Sequence, residues 1–167
     1  ILISNAGNAT SGLMLELDDK RLRKAFELNF FAHKSFAVEA AKIMKLQNRG
    51  GQILFNISKQ AINPGSNMGA YGLPKATTMF LMRQLALELG SNKIRVNGIN
   101  ADRIRSGLLT DNFISERSKS RGISEQLYME GNLLKQEVEA KHVAEGFRAL
   151  AQMKRTTGHI LTVDGGN

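Results

Sequence analysis

Residues 51–100 read GQILFNISKQAINPGSNMGAYGLPKATTMFLMRQLALELGSNKIRVNGIN, and three segments within them decide the fold. Gln52 to Ile57 is a short, mostly apolar run and reads as a strand. Asn63-Pro64-Gly65 marks a loop. From about Met68 to Leu89, Tyr71, Lys75, Met79, Met82, Ala86 and Leu89 recur at helical spacing, and Gly90 and Asn92 stop the helix. Ile94 to Ile99 is a second apolar strand. A strand, a long helix and a strand joined in this way predict a parallel βαβ unit.

The flanks repeat the alternation. Gly50-Gly51 punctuates the end of an earlier helix, about Asp18 to Leu46, on which Leu22, Phe26, Phe30, Ala37, Ala40 and Met44 recur. Before it, Ile1 to Ser4 is a short apolar run ended by Asn5-Ala6-Gly7, the profile of a parallel strand entering a turn. Beyond Ile99, the segment from Asn100 to about Gln136 holds helical pieces broken by Gly107, Gly122 and Gly131. A helix from Val138 to Met153 and a strand from His159 to Val163 follow, closing at Asp164-Gly165-Gly166. The order predicts one α/β domain over residues 1–167. Its sheet has about four parallel strands, covered by helices through right-handed crossovers. No repeat, low-complexity tract or second domain is visible.

Composition narrows the functions. With 42% hydrophobic residues and only two Pro, the chain can bury a core, which argues against disorder. The absence of Cys excludes disulfides, thiolate metal sites and thiol catalysis, and no metal site is expected. No apolar run approaches the roughly 18 residues that span a bilayer, and no leader precedes the first strand, so a soluble, cytoplasmic protein without a membrane partner is expected. The net charge of +8 raises nucleic-acid binding. Yet Lys20 to Lys24, Lys42 to Arg49 and Arg117 to Arg121 mix with acids or polar residues and lack interleaved aromatics, so no nucleic-acid partner is expected. The chain begins on Ile1 as a strand, and an upstream segment is expected to be missing.

Three positions carry chemistry. Tyr71 and Lys75 lie four residues apart, on one helix face and within reach of each other. They continue the inward stripe, where a Lys is costly without a task. Its charge would stabilise a phenolate and lower the Tyr71 pKa, as a proton-donating Tyr requires. The same spacing also suits a surface Lys snorkelling past an aromatic ring. Ser58 ends a strand, where open α/β sheets collect ligands, or else caps the next turn. Asn29 falls on the inward stripe with Phe26, Phe30 and His33; its buried amide either holds a water leading to Lys75 or satisfies a helix irregularity.

Together, Asn5-Ala6-Gly7, Leu28-Asn29-Phe30, Asn56-Ile57-Ser58, Tyr71-x-x-x-Lys75, Ile94-Arg95-Val96-Asn97 and Val163-Asp164-Gly165-Gly166 resemble, in order and spacing, the motifs of the short-chain dehydrogenase/reductase family. A closer resemblance is to the dehydrogenase half of bifunctional rhamnulose-1-phosphate aldolase/alcohol dehydrogenase proteins. It rests on Ser58-Lys59-Gln60-Ala61, Tyr71-Gly72-Leu73-Pro74-Lys75, the stretch from Asn100 to Leu109, and Gly131-Asn132-Leu133-Leu134. Ala101-Asp102 departs from the Pro-Gly that ordinary family members carry after this strand.

The resemblance implies the C-terminal part of a Rossmann-like, doubly wound parallel sheet. It further implies hydride transfer between a nicotinamide cofactor, NAD with NADP not excluded, and a small alcohol or aldehyde. Tyr71 would be the acid/base and Lys75 would lower its pKa and hold the nicotinamide ribose. Ser58 would orient the substrate oxygen and Asn29 a relay water. Asn5, Ala6, Gly7, Tyr71, Lys75, Ile104 and Ser106 would meet the cofactor. Arg103 and Arg105 suit either a substrate phosphate or carboxylate, or ion pairs. Phe113, Tyr128 and Met129, in the substrate loop of about 107–136, suit either a pocket or packing. The family pairs its long helices in homo-oligomers, which a full-length domain is expected to share. No glycine-rich turn opens a helix here, so the pyrophosphate-binding part is expected to lie outside this chain. The isolated fragment is then expected to be inactive, and an inactive remnant or interaction module is the alternative reading.

Overall fold

In the computed structural model, which describes residues 1–167, Gly51–Asn56 forms a strand, β2, in the interior of the sheet. Gln52, Ile53, Leu54 and Phe55 are all buried, as a parallel strand covered on both faces requires. Strand β1 (Leu2–Ser4) pairs with one side of it, and β3 (Ile94–Ala101) with the other. Strand β4 (Ile160–Val163) pairs with β3. All pairings are parallel, and the strands lie side by side in chain order. The register sets Ser4 beside Phe55, and Asn56 beside Ile99, so these strands finish at one edge.

Alternation along β2 and β3 sorts the core. Ile53, Phe55, Ile94 and Val96 point to one face. They meet Ala37, Ala41 and Met44 of helix α2 (Ala32–Gln47), and Met82, Leu85, Ala86 and Leu89 of helix α3 (Gly69–Leu89). Leu54 and Ile99 point to the other face. There they meet Val143, Phe147 and Leu150 of helix α6 (Ala140–Gln152). Each such large side chain stabilises the fold by roughly 1.5–3 kcal/mol relative to exposure.

Two expectations change. The first long helix is split into α1 (Asp19–Phe26), capped by the Asp18 carboxylate at 2.7 Å from the Arg21 amide, and α2, with a π-turn at Glu27–Phe31 between them. That wider turn rotates the buried stripe. Ala25, Asn29, His33, Ala37, Ala41 and Met44 face inward, while Phe26, Phe30 and Ala40 lie at its margin. Uniformly right-handed crossovers also fail. Because the strands advance in one direction while α6 covers the opposite face from α2 and α3, the β3–β4 connection has the opposite hand to the first two. The residues between β3 and α6 carry the chain over the carboxyl edge of the sheet. They contain α4 (Asp111–Ser120) and α5 (Glu125–Met129), held around Leu109, Ile114, Tyr128 and Met129.

One glycine is obligatory at the turn into β2. Gly50 has φ +73°, and a Cβ there would lie 2.5 Å from the Lys93 carbonyl oxygen. At the other end of the sheet order, β1 has a single neighbour, and its Ile3 is 50% exposed. No helix is long and apolar enough to cross a membrane.

Candidate active site

The carboxyl ends of β1, β2 and β3 deliver the sequence-identified residues to one place. Strand β2 ends at Asn56, whose carbonyl accepts a 2.9 Å hydrogen bond from Lys75 Nζ. Ser58 follows two residues later and caps the short turn Lys59–Ala61, with its Oγ accepting from the Gln60 amide at 3.2 Å. Helix α3 brings Tyr71, 8% exposed, and Lys75, 2% exposed, to the same edge. Lys75 Nζ lies 5.8 Å from the centre of the Tyr71 ring. The surface-Lys alternative for Lys75 therefore falls away.

Electrostatics here are set mainly by burial. Loss of solvent raises the Tyr71 pKa above 10.0, opposed by hydrogen bonding from the Ser58 hydroxyl and reinforced by the Asp102 carboxylate. Burial lowers Lys75 to about 8. The expected lowering of Tyr71 by Lys75 is not met in the chain alone: desolvation wins, and the ammonium directs a donor at the Asn56 carbonyl.

Asn29 sits inside the π-turn, and both ends of its side-chain amide are hydrogen-bonded. Its Nδ2 donates to the carbonyls of Asn8 (2.9 Å) and Ala25 (3.1 Å), and its Oδ1 accepts from the Asn8 amide at 3.2 Å. The side chain thus ties the turn after β1 to the helix. The Asn29 carbonyl accepts from Thr78 Oγ1 at 2.7 Å, one turn along α3 from Lys75. His33, 1% exposed, shares a 2.6 Å hydrogen bond between its Nδ1 and Ser4 Oγ, and its Nε2 is buried without a partner. Burial, and then the Lys75 charge, lower its pKa to about 4. Thr78 and the Asn8 backbone were not legible beforehand. Thr78 lies one turn beyond Lys75, but only the fold shows what it meets.

Two cavities meet at Tyr71. The first, about 550 Å³, is lined by Asn5, Gly7, Tyr71, Lys75, Ile104 and Ser106, with Val143 and Phe147 on its apolar side. Of the cofactor residues expected from sequence, only Ala6 is not on its wall. Space at Gly7 is tight, since a Cβ would meet Asn29 Oδ1 at 3.2 Å and Lys75 Nζ at 3.6 Å. Asn5 is fixed by a 2.7 Å bond from Asn56 Nδ2. The Ser106 hydroxyl turns inward on its own loop, donating to the Ile104 carbonyl and accepting from the amides of Leu108 and Leu109. Such a polar-and-apolar cleft, opening at strand ends beside a glycine that lets another group approach the backbone, fits a flat heteroaromatic ring with a ribose.

The second cavity, about 290 Å³, shares Tyr71 and is lined by Ser58, Arg103, Phe113, Arg117, Arg121 and Tyr128 among others. Phe113 and Tyr128 therefore reach the cavity, whereas Met129 only packs against Leu109, Ile114 and Tyr128. Arg103 has φ +53° and donates to the Tyr128 carbonyl at 2.5 Å. Arg105 is exposed and paired with Asp111 (2.6 Å) and Glu137 (2.7 Å), away from the cavity. Arg117 and Arg121 were passed over as a scattered basic run. Their four-residue spacing was visible, but the cavity they face was not. No group of three or more His, Asp or Glu side chains converges to bind a metal.

Comparison with known proteins agrees with this geometry. A family model described as enoyl-(acyl carrier protein) reductase matches residues 1–167. The uncharacterized oxidoreductase YuxG of Bacillus subtilis is 34% identical over 174 residues, which cover 99% of this chain and 25% of that protein. The 7alpha-hydroxysteroid dehydrogenase of Escherichia coli is 30% identical over 168 residues, 99% of this chain and 62% of that protein. A short chain dehydrogenase family protein from Francisella tularensis superposes with a TM-score of 0.81 at 26% identity, covering 98% of this chain and 68% of that one. This chain thus spans about a quarter of the first relative's length and somewhat under two thirds of the second's. With the whole chain matched and the motif residues gathered at one sheet edge, the protein belongs to the short-chain dehydrogenase/reductase family.

Proposed function

We propose that this chain is the catalytic half of an NAD-dependent alcohol or aldehyde oxidoreductase, with Tyr71 as its acid/base. The observation that carries the reading is the placement of a phenol and an ammonium, both buried, on one face of α3 beside Ser58. NADP is the alternative cofactor, since the residues that would separate the two are not in these motifs. Asn5, Gly7, Lys75, Ile104 and Ser106 would hold the nicotinamide and its ribose in the larger cavity, and Ala6 would act through the turn between Asn5 and Gly7. The bound nicotinamide would supply the hydride acceptor or donor.

The chain's own residues then manage a proton. The Ser58 hydroxyl would bond the substrate oxygen and hold it against the Tyr71 hydroxyl. Tyr71 would take the proton from an alcohol, or give it to the oxygen of a carbonyl. Because burial raises the Tyr71 pKa, the phenolate needs a nearby cation. Lys75 is the cation available, and its lowered pKa of about 8 leaves it charged at neutral pH. Asn29 would serve by fixing the turn that carries Gly7 beside Lys75, and would position a relay water.

The same reading extends to the whole protein. A match that covers only a quarter of YuxG supports a place for this segment in a longer chain. On its resemblance to the dehydrogenase half of bifunctional rhamnulose-1-phosphate aldolase/alcohol dehydrogenase proteins, the proposed setting is rhamnose catabolism in the cytoplasm. Exposed Phe36 and Ile43 on α2, with Phe80 and Leu87 on α3, supply apolar helix faces suited to a homo-oligomer.

The test is Tyr71→Phe in a complete protein carrying this segment. Turnover should fall about 10²–10⁴-fold while cofactor affinity stays within about twofold. Retention of most activity would refute the assignment of Tyr71.

A further inference from the structure

The smaller cavity beside Tyr71 has an unusual charge balance. Its walls carry Lys59, Arg103, Arg117 and Arg121 against a single acidic side chain, Asp102. Two of the four cations are already answered. Lys59 lies 3.8 Å from Asp164, and Arg103 Nε lies 3.4 Å from Asp102. Arg117 and Arg121 form no ion pair, although the same segment gives Arg105 two carboxylates. Acids were available and were placed elsewhere.

The geometry of the two free guanidiniums is also constrained. Arg117 donates from Nη1 to the Ser66 carbonyl at 2.9 Å, its Cζ lies 6.0 Å from the Phe113 ring centre, and its Nε is fully buried with no partner. Tyr128 is approached by Arg103 at 4.8 Å and by Arg121 at 5.1 Å. With Nη1 of Arg117 held by Ser66, its Nη2 remains to meet an anion in the cavity, and Arg121, which has no carboxylate partner, supplies a second guanidinium on the same wall.

We infer that the substrate of this cavity is a small anion, with a carboxylate or phosphate received by Arg117 and Arg121 and its reacting oxygen lying toward Ser58 and Tyr71. The inference rests on the reading of Ser58 and Tyr71 as the reacting end. A cavity of about 290 Å³ is at the small end for ligand sites, so the substrate class is a short-chain hydroxy acid or a phosphorylated short polyol, or the matching carbonyl compound.

Binding of such an anion requires neither cofactor nor turnover, so it is measurable on this chain directly. Lactate, glycerol 3-phosphate and the neutral propane-1,2-diol are titrated while the arginine Nε–H resonances are followed by NMR. Lactate or glycerol 3-phosphate should shift Arg117 and Arg121 and bind at least about tenfold more tightly than the diol. Whichever of the two binds better identifies the group as carboxylate or phosphate. Arg117→Gln with Arg121→Gln should lose about tenfold in anion affinity and leave diol binding unchanged, and the double Lys variant should recover part of the loss. Equal binding of anions and diol, or unchanged anion affinity in the double Gln variant, would overturn the inference. The wild-type comparison decides the question even if the variants fold poorly. Tyr71→Phe should still bind the anion, so failure of the catalytic reading and failure of this one leave different records.

Discussion

Residues 51–100 and residues 102–139 build opposite walls of the same cavity by different means. The first region places Ser58, Tyr71 and Lys75 at the ends of elements whose other residues are locked in the core, among them Ile53, Phe55, Val96 and Met82. The second has a cluster of four buried residues, and otherwise depends on caps such as Thr110 and Ser124 and on arginines stacked over Phe113 and Tyr128. The difference suggests a division of labour. Reacting groups ride on the rigid wall, and the groups that would select a substrate ride on the wall that is easier to change.

The largest expected effect tests whether the two walls unfold together. Phe55 is fully buried between α2, α3 and the sheet, so Phe55→Ala should cost about 3–5 kcal/mol in denaturant unfolding. It should speed amide exchange in both regions. Leu109→Ala should speed exchange within 102–139 and leave β2 and β3 protected. If Leu109→Ala exposes the sheet equally, the walls form one cooperative unit and the contrast dissolves.

Lys75 sharpens the comparison, because the rigid wall holds a charge at a cost. An unfolded chain binds the Lys75 proton below pH 10.5, and the folded one only below about 8. Between those values the unfolded state holds more protons, so stability rises with pH through that window. Lys75→Met should therefore stabilise the chain at pH 7 by up to about 3 kcal/mol, less whatever the bond to Asn56 contributes, and the gain should vanish near pH 10.5. No gain at pH 7 would mean that the ammonium is solvated.

His33, buried on α2 behind that wall, should act in acid. The unfolded chain protonates it below pH 6.5 and the folded chain only below about 4, so stability should fall by up to about 3 kcal/mol as pH drops through that interval. His33→Gln should flatten the slope. In Lys75→Met the interval should narrow, because part of the lowered pKa comes from that charge.

The two regions also differ in how far they were legible. In 51–100, period and punctuation fixed both strands and α3 to within two residues, and the 3.6-residue stripe put Tyr71 and Lys75 on the inner face. Asn29 was found as an inward polar residue. The π-turn that aims it at Asn8 was not, since one added residue in a helical turn leaves no mark in a smooth apolar period. The hand of the β3–β4 connection was hidden for a similar reason: β3 is buried on both faces, and its sequence does not say which face α6 will cover. In 102–139 the glycine breaks were read correctly as interruptions. The direction of each arginine was not, because it depends on where Tyr128, Phe113 and Glu137 finish in space.

Arg105 provides the smallest effect and the finest test of the second wall. Its guanidinium joins Asp111 at the start of α4 to Glu137 just before α6, so it spans the segment from end to end. All three groups keep solvent access, where such pairs contribute about 0–1 kcal/mol and are screened by salt. Arg105→Gln should thus lower stability by no more than about 1 kcal/mol in low salt, with the loss shrinking by 0.5 M salt. Lactate affinity should not move, because Arg105 stands outside the cavity. A larger loss that persists in high salt would show that this wall is held by its ion pairs. The cluster around Tyr128 would then be a consequence of that clasp and not what holds the segment in place.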